Sequence, residues 1–138
     1  KPVYSTGVKT RFQMKHLLLI LCLSVATWFG VQAQPVMEFV QKGYNLGQIS
    51  ESGGVVSRVY KFRNSGDAPL VILRAETACA CTKASFSKKP ILPGQSGEIT
   101  VIYNPRHQSG AFNKAISIYT NVSGVRYVVT LRGEVVRP

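Results

Sequence analysis

The residues of this chain best suited to chemistry are two cysteines separated by a single alanine, Cys79-Ala80-Cys81. Two thiols this close can form a disulfide, exchange electrons with other thiols, or offer two soft ligands to Cu(I) or Zn2+. On an extended strand, Cα atoms at i and i+2 stand about 6.6 Å apart, at the far edge of what a disulfide spans, so a bridge requires the backbone to turn there. So small a ring would place the bridge among the labile, readily reduced disulfides. Zinc asks for about four ligands, and His107 and Met37 are the only further candidates after residue 33, so a closed site would need a second chain. The plainest use of the pair is as two small apolar residues near a strand end. Structural, redox and metal uses all stand open on sequence, and no metal ligand or cofactor is assigned.

Other catalytic patterns are missing from the sequence. His107 lies in 104–110, Asn-Pro-Arg-His-Gln-Ser-Gly, which reads as a solvated turn with no partner to orient the ring as a base. Glu38, Glu51, Asp67, Glu76, Glu98 and Glu134 are scattered, with no spacing that suits a glycosidase pair or a divalent cation. There is no Gly-rich phosphate loop and no Ser nucleophile elbow. The expectation is a protein that is not an enzyme, with no catalytic residue to name.

Charge is the next feature, with 17 Lys and Arg against 6 Asp and Glu, a net of +11. Lys61, Arg63, Lys88, Lys89, Arg126 and Arg132 form a candidate basic patch for an anionic envelope surface; the alternative is ordinary solvated charge on strand faces. Nucleic acid is not an expected partner, because no DNA- or RNA-binding motif accompanies the charge. The partner class expected is a protein or an envelope component, unidentified, and the oligomeric state is not legible.

Part of that charge belongs to a leader. Met14-Lys15-His16 precede an apolar run from Leu17 to Val31, and small residues at Val31 and Ala33 then match a signal-peptidase site. The run is shorter than the ~20 residues that span a bilayer and polar Gln32 and Gln34 follow at once, so a cleaved signal peptide is expected, with the membrane met only during export. The expected organisation is an upstream extension over 1–13, a signal peptide over 14–33 cut between Ala33 and Gln34, and one secreted or periplasmic domain over 34–138. That domain keeps 13 basic and 6 acidic residues, a net of +7.

The elements that must position the cysteines are strands. Val125, Tyr127, Val129 and Leu131 alternate with Arg126, Thr130 and Arg132; Ile99, Val101 and Tyr103 alternate with Glu98 and Thr100. Ile116 and Ile118 against Ser117 and Tyr119, and Tyr60 and Phe62 against Lys61 and Arg63, repeat the pattern. Turn residues recur about every dozen positions. The spacing predicts strands over 38–42, 55–63, 70–76, 82–87, 98–104, 112–120 and 125–135, hence an all-β, seven-stranded, Ig-like Greek-key sandwich.

Several segments, in order, resemble a bacterial family of exported Ig-like domains of unknown function. The family is common in the Bacteroidetes and distantly similar to the Hydin-type domains of cilia and centrosomes. The matching pieces are Tyr44-Asn-Leu-Gly-Gln-Ile49, Val59-Tyr-Lys-Phe-Arg-Asn-Ser-Gly-Asp-Ala-Pro-Leu-Val-Ile72, Thr77-Ala-Cys-Ala-Cys-Thr82 and Lys89-Pro-Ile-Leu-Pro-Gly-Gln-Ser-Gly97. Ile99 to Asn104, Gly110 to Lys114 and Leu131 to Val135 continue the match. The resemblance implies an Ig-like fold and an exported location, and supplies no catalytic residue. The family usually has Gly between the cysteines where this chain has Ala80, a residue that would be strained at a positive φ.

Overall fold

The structure is a computed structural model that describes residues 30–138. The chain divides into two units, residues 1–32 and 33–138. The extension expected over 1–13 and nearly all of the leader expected over 14–33 lie outside the described residues.

Eight strands form: β1 (Met37–Phe39), β2 (Gly43–Ser50), β3 (Val56–Asn64), β4 (Ile72–Thr77), β5 (Thr82–Phe86), β6 (Ser96–Tyr103), β7 (Gly110–Thr120) and β8 (Arg126–Val136). They build two four-stranded sheets, β1-β3-β6-β5 and β2-β8-β7-β4. Pairing is antiparallel except where β2 runs parallel to β8 along one edge.

The alternation read from the sequence is the burial pattern of the sandwich. Tyr60 and Phe62 of β3, Ile99, Val101 and Tyr103 of β6, Ile116 and Ile118 of β7, and Val129 and Leu131 of β8 are buried, while Lys61, Arg63, Glu98, Arg126 and Arg132 face solvent. Each buried Ile, Leu, Val or Phe contributes roughly 1.5–3 kcal/mol of transfer free energy, so these inner faces are what hold the sheets together. Hydroxyls tie them as well. The Tyr60 hydroxyl donates to the Thr130 carbonyl of the opposite sheet at 2.7 Å, and the Tyr44 hydroxyl donates to the Val59 carbonyl at 3.1 Å.

The eighth strand, β2, is a correction to the sequence reading. Gly43, Asn45, Gly47 and Gln48 are poor strand formers, and a bulge between Asn45 and Gln48 breaks the alternation. The inward residues are therefore Tyr44, Leu46 and Ile49, a spacing that changes phase at Gly47, whose φ is +65°. Val125 is a second correction. It stands outside β8, 41% exposed, because the preceding turn ends with Gly124 at φ +72° and the strand starts at Arg126.

Candidate functional site

Cys79 and Cys81 sit in the short crossover that carries the chain from β4 in one sheet to β5 in the other. The backbone does turn there: their Cα atoms are 5.2 Å apart and their sulfurs meet at bonding distance. Several hydrogen bonds shape this turn without the sulfurs. The Thr77 hydroxyl lies 2.8 Å from the Thr82 carbonyl and 3.2 Å from that of Cys79, the Thr82 amide donates to the Cys79 carbonyl at 3.1 Å, and the Asn104 amide donates to the Cys81 carbonyl at 2.8 Å. Among the described residues His107 alone, other than glycines, has a positive φ, so Ala80 sits between the cysteines without the left-handed backbone that would favour Gly.

The two sulfurs have different surroundings. The Cys81 amide donates to Cys79 Sγ at 3.1 Å, a contact that favours negative charge on that sulfur. Cys81 packs against the hydrophobic core, and its sulfur has only a longer approach, 3.7 Å, to the Thr82 hydroxyl. The other candidate metal ligands are not assembled with the pair. Met37 is buried on β1 opposite Asn64, at the end of its sheet remote from Tyr103 and Thr82. His107 is exposed, with its amide donating to Glu51 at 3.1 Å. Among the described residues no three His, Cys, Asp or Glu side chains come together.

The six basic residues do not share a surface. Lys61 and Arg63 lie on the outer face of β3, with Lys61 opposite Glu98 of β6, and Lys88 and Lys89 follow β5. Arg126 and Arg132 project from β8, in the other sheet. Ala33 and Gln34 are exposed, and the Gln34 amide donates to Asp67 Oδ1 at 2.6 Å.

A cleft that sequence reasoning missed lies on the outer end of the second sheet. Leu73, Arg74, Tyr119, Val122, Val125 and Arg126 surround about 410 Å3. Pairing aligns Arg74 of β4 with Tyr119 of β7 and Tyr119 with Arg126 of β8, so a cationic residue on each neighbouring strand stands opposite one aromatic residue. The Arg74 guanidinium lies 4.2 Å from the ring centroid and its Nε is 3.0 Å from Glu76. Arg126 forms no ion pair among the described residues. Leu73, 55% exposed, occupies a bulge between Ile72 and Arg74. The available signal was the run Leu70-Val71-Ile72-Leu73, four apolar residues where strict alternation buries two.

Two sheets of four strands, packed face to face over one core, define an Ig-like β-sandwich. Within that class the chain belongs to the family described as "Protein of unknown function (DUF1573)", whose model matches residues 37–135. No curated protein sequence matches the chain. A protein of unknown function from Porphyromonas gingivalis W83 is similar in structure, at 20% identity and a TM-score of 0.65, over 78% of this chain and 50% of that one. The secreted serine protease VesC from Vibrio cholerae is similar over 72% of this chain and 23% of its own length, at 16% identity and a TM-score of 0.55. The E. coli chaperone DraB is similar over 75% and 56%, at 9% identity and a TM-score of 0.50. The chain thus spans half of the first of these proteins and under a quarter of the second, and the likeness is one of fold.

Proposed function

We propose that the chain is an exported, non-catalytic interaction module, secreted or periplasmic, which docks an acidic segment of a partner protein in the Arg74–Tyr119–Arg126 cleft. The observation that carries this reading is the cleft itself: exposed Leu73 and Val125 beside Tyr119, with the Arg74 guanidinium over its ring and Arg126 opposite it in register. Exposed apolar side chains rimmed by charge suit a protein contact, and Arg and Tyr are the residue types that anchor such contacts. Charge complementarity selects an acidic partner, since residues 34–138 carry a net of +7 and Arg126 forms no ion pair among the described residues.

The test is cross-linked capture by the tagged full chain in an exporting host, repeated with surface variants of equal thermal stability. The partner should be lost with Leu73→Asp/Val125→Asp, weakened about tenfold with Arg126→Glu, and kept with Lys61→Glu/Arg63→Glu on the opposite sheet. Equal capture by all of them, or an anionic polymer as the retained species, overturns the docking reading. Intact mass of the exported protein should start at Gln34; retention of Leu17–Val31 overturns the export reading.

A further inference from the structure

We infer that Cys79 and Cys81 form a thiol–disulfide exchange site that accepts electrons from a partner dithiol, with Cys79 as the sulfur that enters the mixed disulfide and Cys81 as the sulfur that leaves. This is independent of the cleft and rests on the pair being oxidised in the exported protein, as an oxidising compartment favours. Three observations converge on it. A bridge between residues two apart closes so short a loop that it removes little freedom from the unfolded chain. The turn that holds it is already fixed by the Thr77 hydroxyl and the Thr82 and Asn104 amides, so the fold does not need the sulfur–sulfur bond. The Cys81 amide aimed at Cys79 Sγ stabilises a thiolate there, hence the reduced form, which makes the oxidised pair a better oxidant.

The exchange runs in two displacements. A partner thiolate attacks Cys79 Sγ, the sulfur not packed into the core; the partner–Cys79 bond forms, the Cys79–Cys81 bond breaks, and Cys81 Sγ leaves as a thiolate that takes a proton. The partner's second thiolate then attacks its own sulfur in the mixed disulfide, closing the partner's disulfide, and Cys79 Sγ leaves as the thiolate held by the Cys81 amide. Two electrons pass from the partner dithiol to the pair, and the partner's protons go to Cys81 and to solvent. Exposed Ala78 and Ala80 on either side of Cys79 leave room for the approach.

The experiment uses the protein recovered after export of the full chain carrying Cys22→Ser, so that only this pair reports whether or not the leader is removed, in glutathione buffers of graded reduced-to-oxidised ratio. Thiol titration, circular dichroism and the melting temperature are read at each ratio. The pair should start oxidised and become half-reduced within the buffered range, with the chain still folded. A pair that begins as two thiols, stays oxidised in excess reduced glutathione, or unfolds the chain when reduced overturns the proposal. The sulfur assignment is read at pH 7 with iodoacetamide and with glutathione disulfide. Cys79 in the Cys81→Ser variant should react about ten times faster than Cys81 in the Cys79→Ser variant. Equal or reversed rates, in variants that melt alike, overturn the roles given to the two sulfurs. The cleft variants leave this chemistry unchanged, so failure here and failure of docking are told apart.

Discussion

The two short crossovers that flank β4 are held by opposite means. The first leads from β3 into β4 through 65–71 and is locked by one buried amide. Asn64 Oδ1 accepts from the Val36 amide at 3.2 Å and the Gly66 amide at 3.0 Å, while Nδ2 donates to the carbonyls of Ala68 at 2.8 Å and Ile91 at 2.9 Å. Its backbone is paired too, to Gln95 and Gly94. Every polar group of this residue has a partner although it is fully buried. Gly66 packs so closely on Gln34–Val36 that a Cβ there would collide with backbone. The second crossover, from β4 into β5, leans on bonds from Thr77, Thr82 and Asn104, with Cys79 half-buried between exposed Ala78 and Ala80 and Cys81 packed against the core. One corner therefore carries the stability, and the other can change its covalent state without loss of fold.

The sharpest way to break this comparison is Asn64→Ala. It removes the partner of two amides and of the Ala68 carbonyl in a part-buried corner, while the Ile91 carbonyl keeps the Leu70 amide; at about 1–3 kcal/mol for each group that finds no new partner, a loss of about 3 kcal/mol is expected from urea unfolding. A loss below 1 kcal/mol would mean that the Asn64 corner is not the lock.

Tyr60 supplies the next effect, a tie common to both ends. Burial foremost, with the Tyr44 hydroxyl adding to it and Arg58 opposing, pushes its pKa up to about 12 from 10.0. The unfolded chain releases this proton first, so the stability it confers is complete below pH 10 and drains away as pH rises toward 12, by about 2–3 kcal/mol at ~1.4 kcal/mol per unit. Urea midpoints should fall across that window, and Tyr60→Phe should flatten the fall while costing about 1 kcal/mol at neutral pH. A slope unchanged in Tyr60→Phe would assign the alkaline loss elsewhere.

Reduction of the Cys79–Cys81 pair comes third. Chain entropy for a loop of three residues gives about 1.5 kcal/mol, as an upper value here because the turn is held by other bonds. A calorimetric melt should drop by no more than about 7 °C; a collapse as large as that of Asn64→Ala would make the two corners equivalent.

The smallest effect belongs to Tyr103, which pairs with Thr82 beneath the cysteine turn and stacks on Phe112 at 4.4 Å. Its buried hydroxyl has no partner among the described residues and burial raises its pKa. Tyr103→Phe should therefore be neutral or stabilising by up to about 1 kcal/mol, in contrast to Tyr60→Phe, whose hydroxyl is bonded across the sheets. A loss above 1 kcal/mol in denaturant titration would reveal a partner for that oxygen.

Most of the sandwich was legible before any coordinates, because a residue on a half-buried strand declares its face by alternation. Val101 and Glu98, or Ile118 and Ser117, are sorted correctly by that rule alone. Where a bulge changes the phase the rule fails, and both failures lie at edges: Gly47 hid β2, and Leu73 hid the cleft. Asn64 reads in sequence as one more turn residue, since nothing local distinguishes a buried, four-bonded amide from a solvated one.

The amino-acid order by itself determined the fold class, most of the inward set of side chains, and the presence of two thiols one residue apart, because these depend on period and spacing along the chain. Only the tertiary structure decided which charges share a surface, which aromatic residue pairs with an arginine on each side, and which sulfur faces an amide. Those depend on pairing between strands distant in sequence: register joins Arg74 to Tyr119 and Tyr119 to Arg126, and the same separation of sheets parts Lys61 and Arg63 from Arg126 and Arg132.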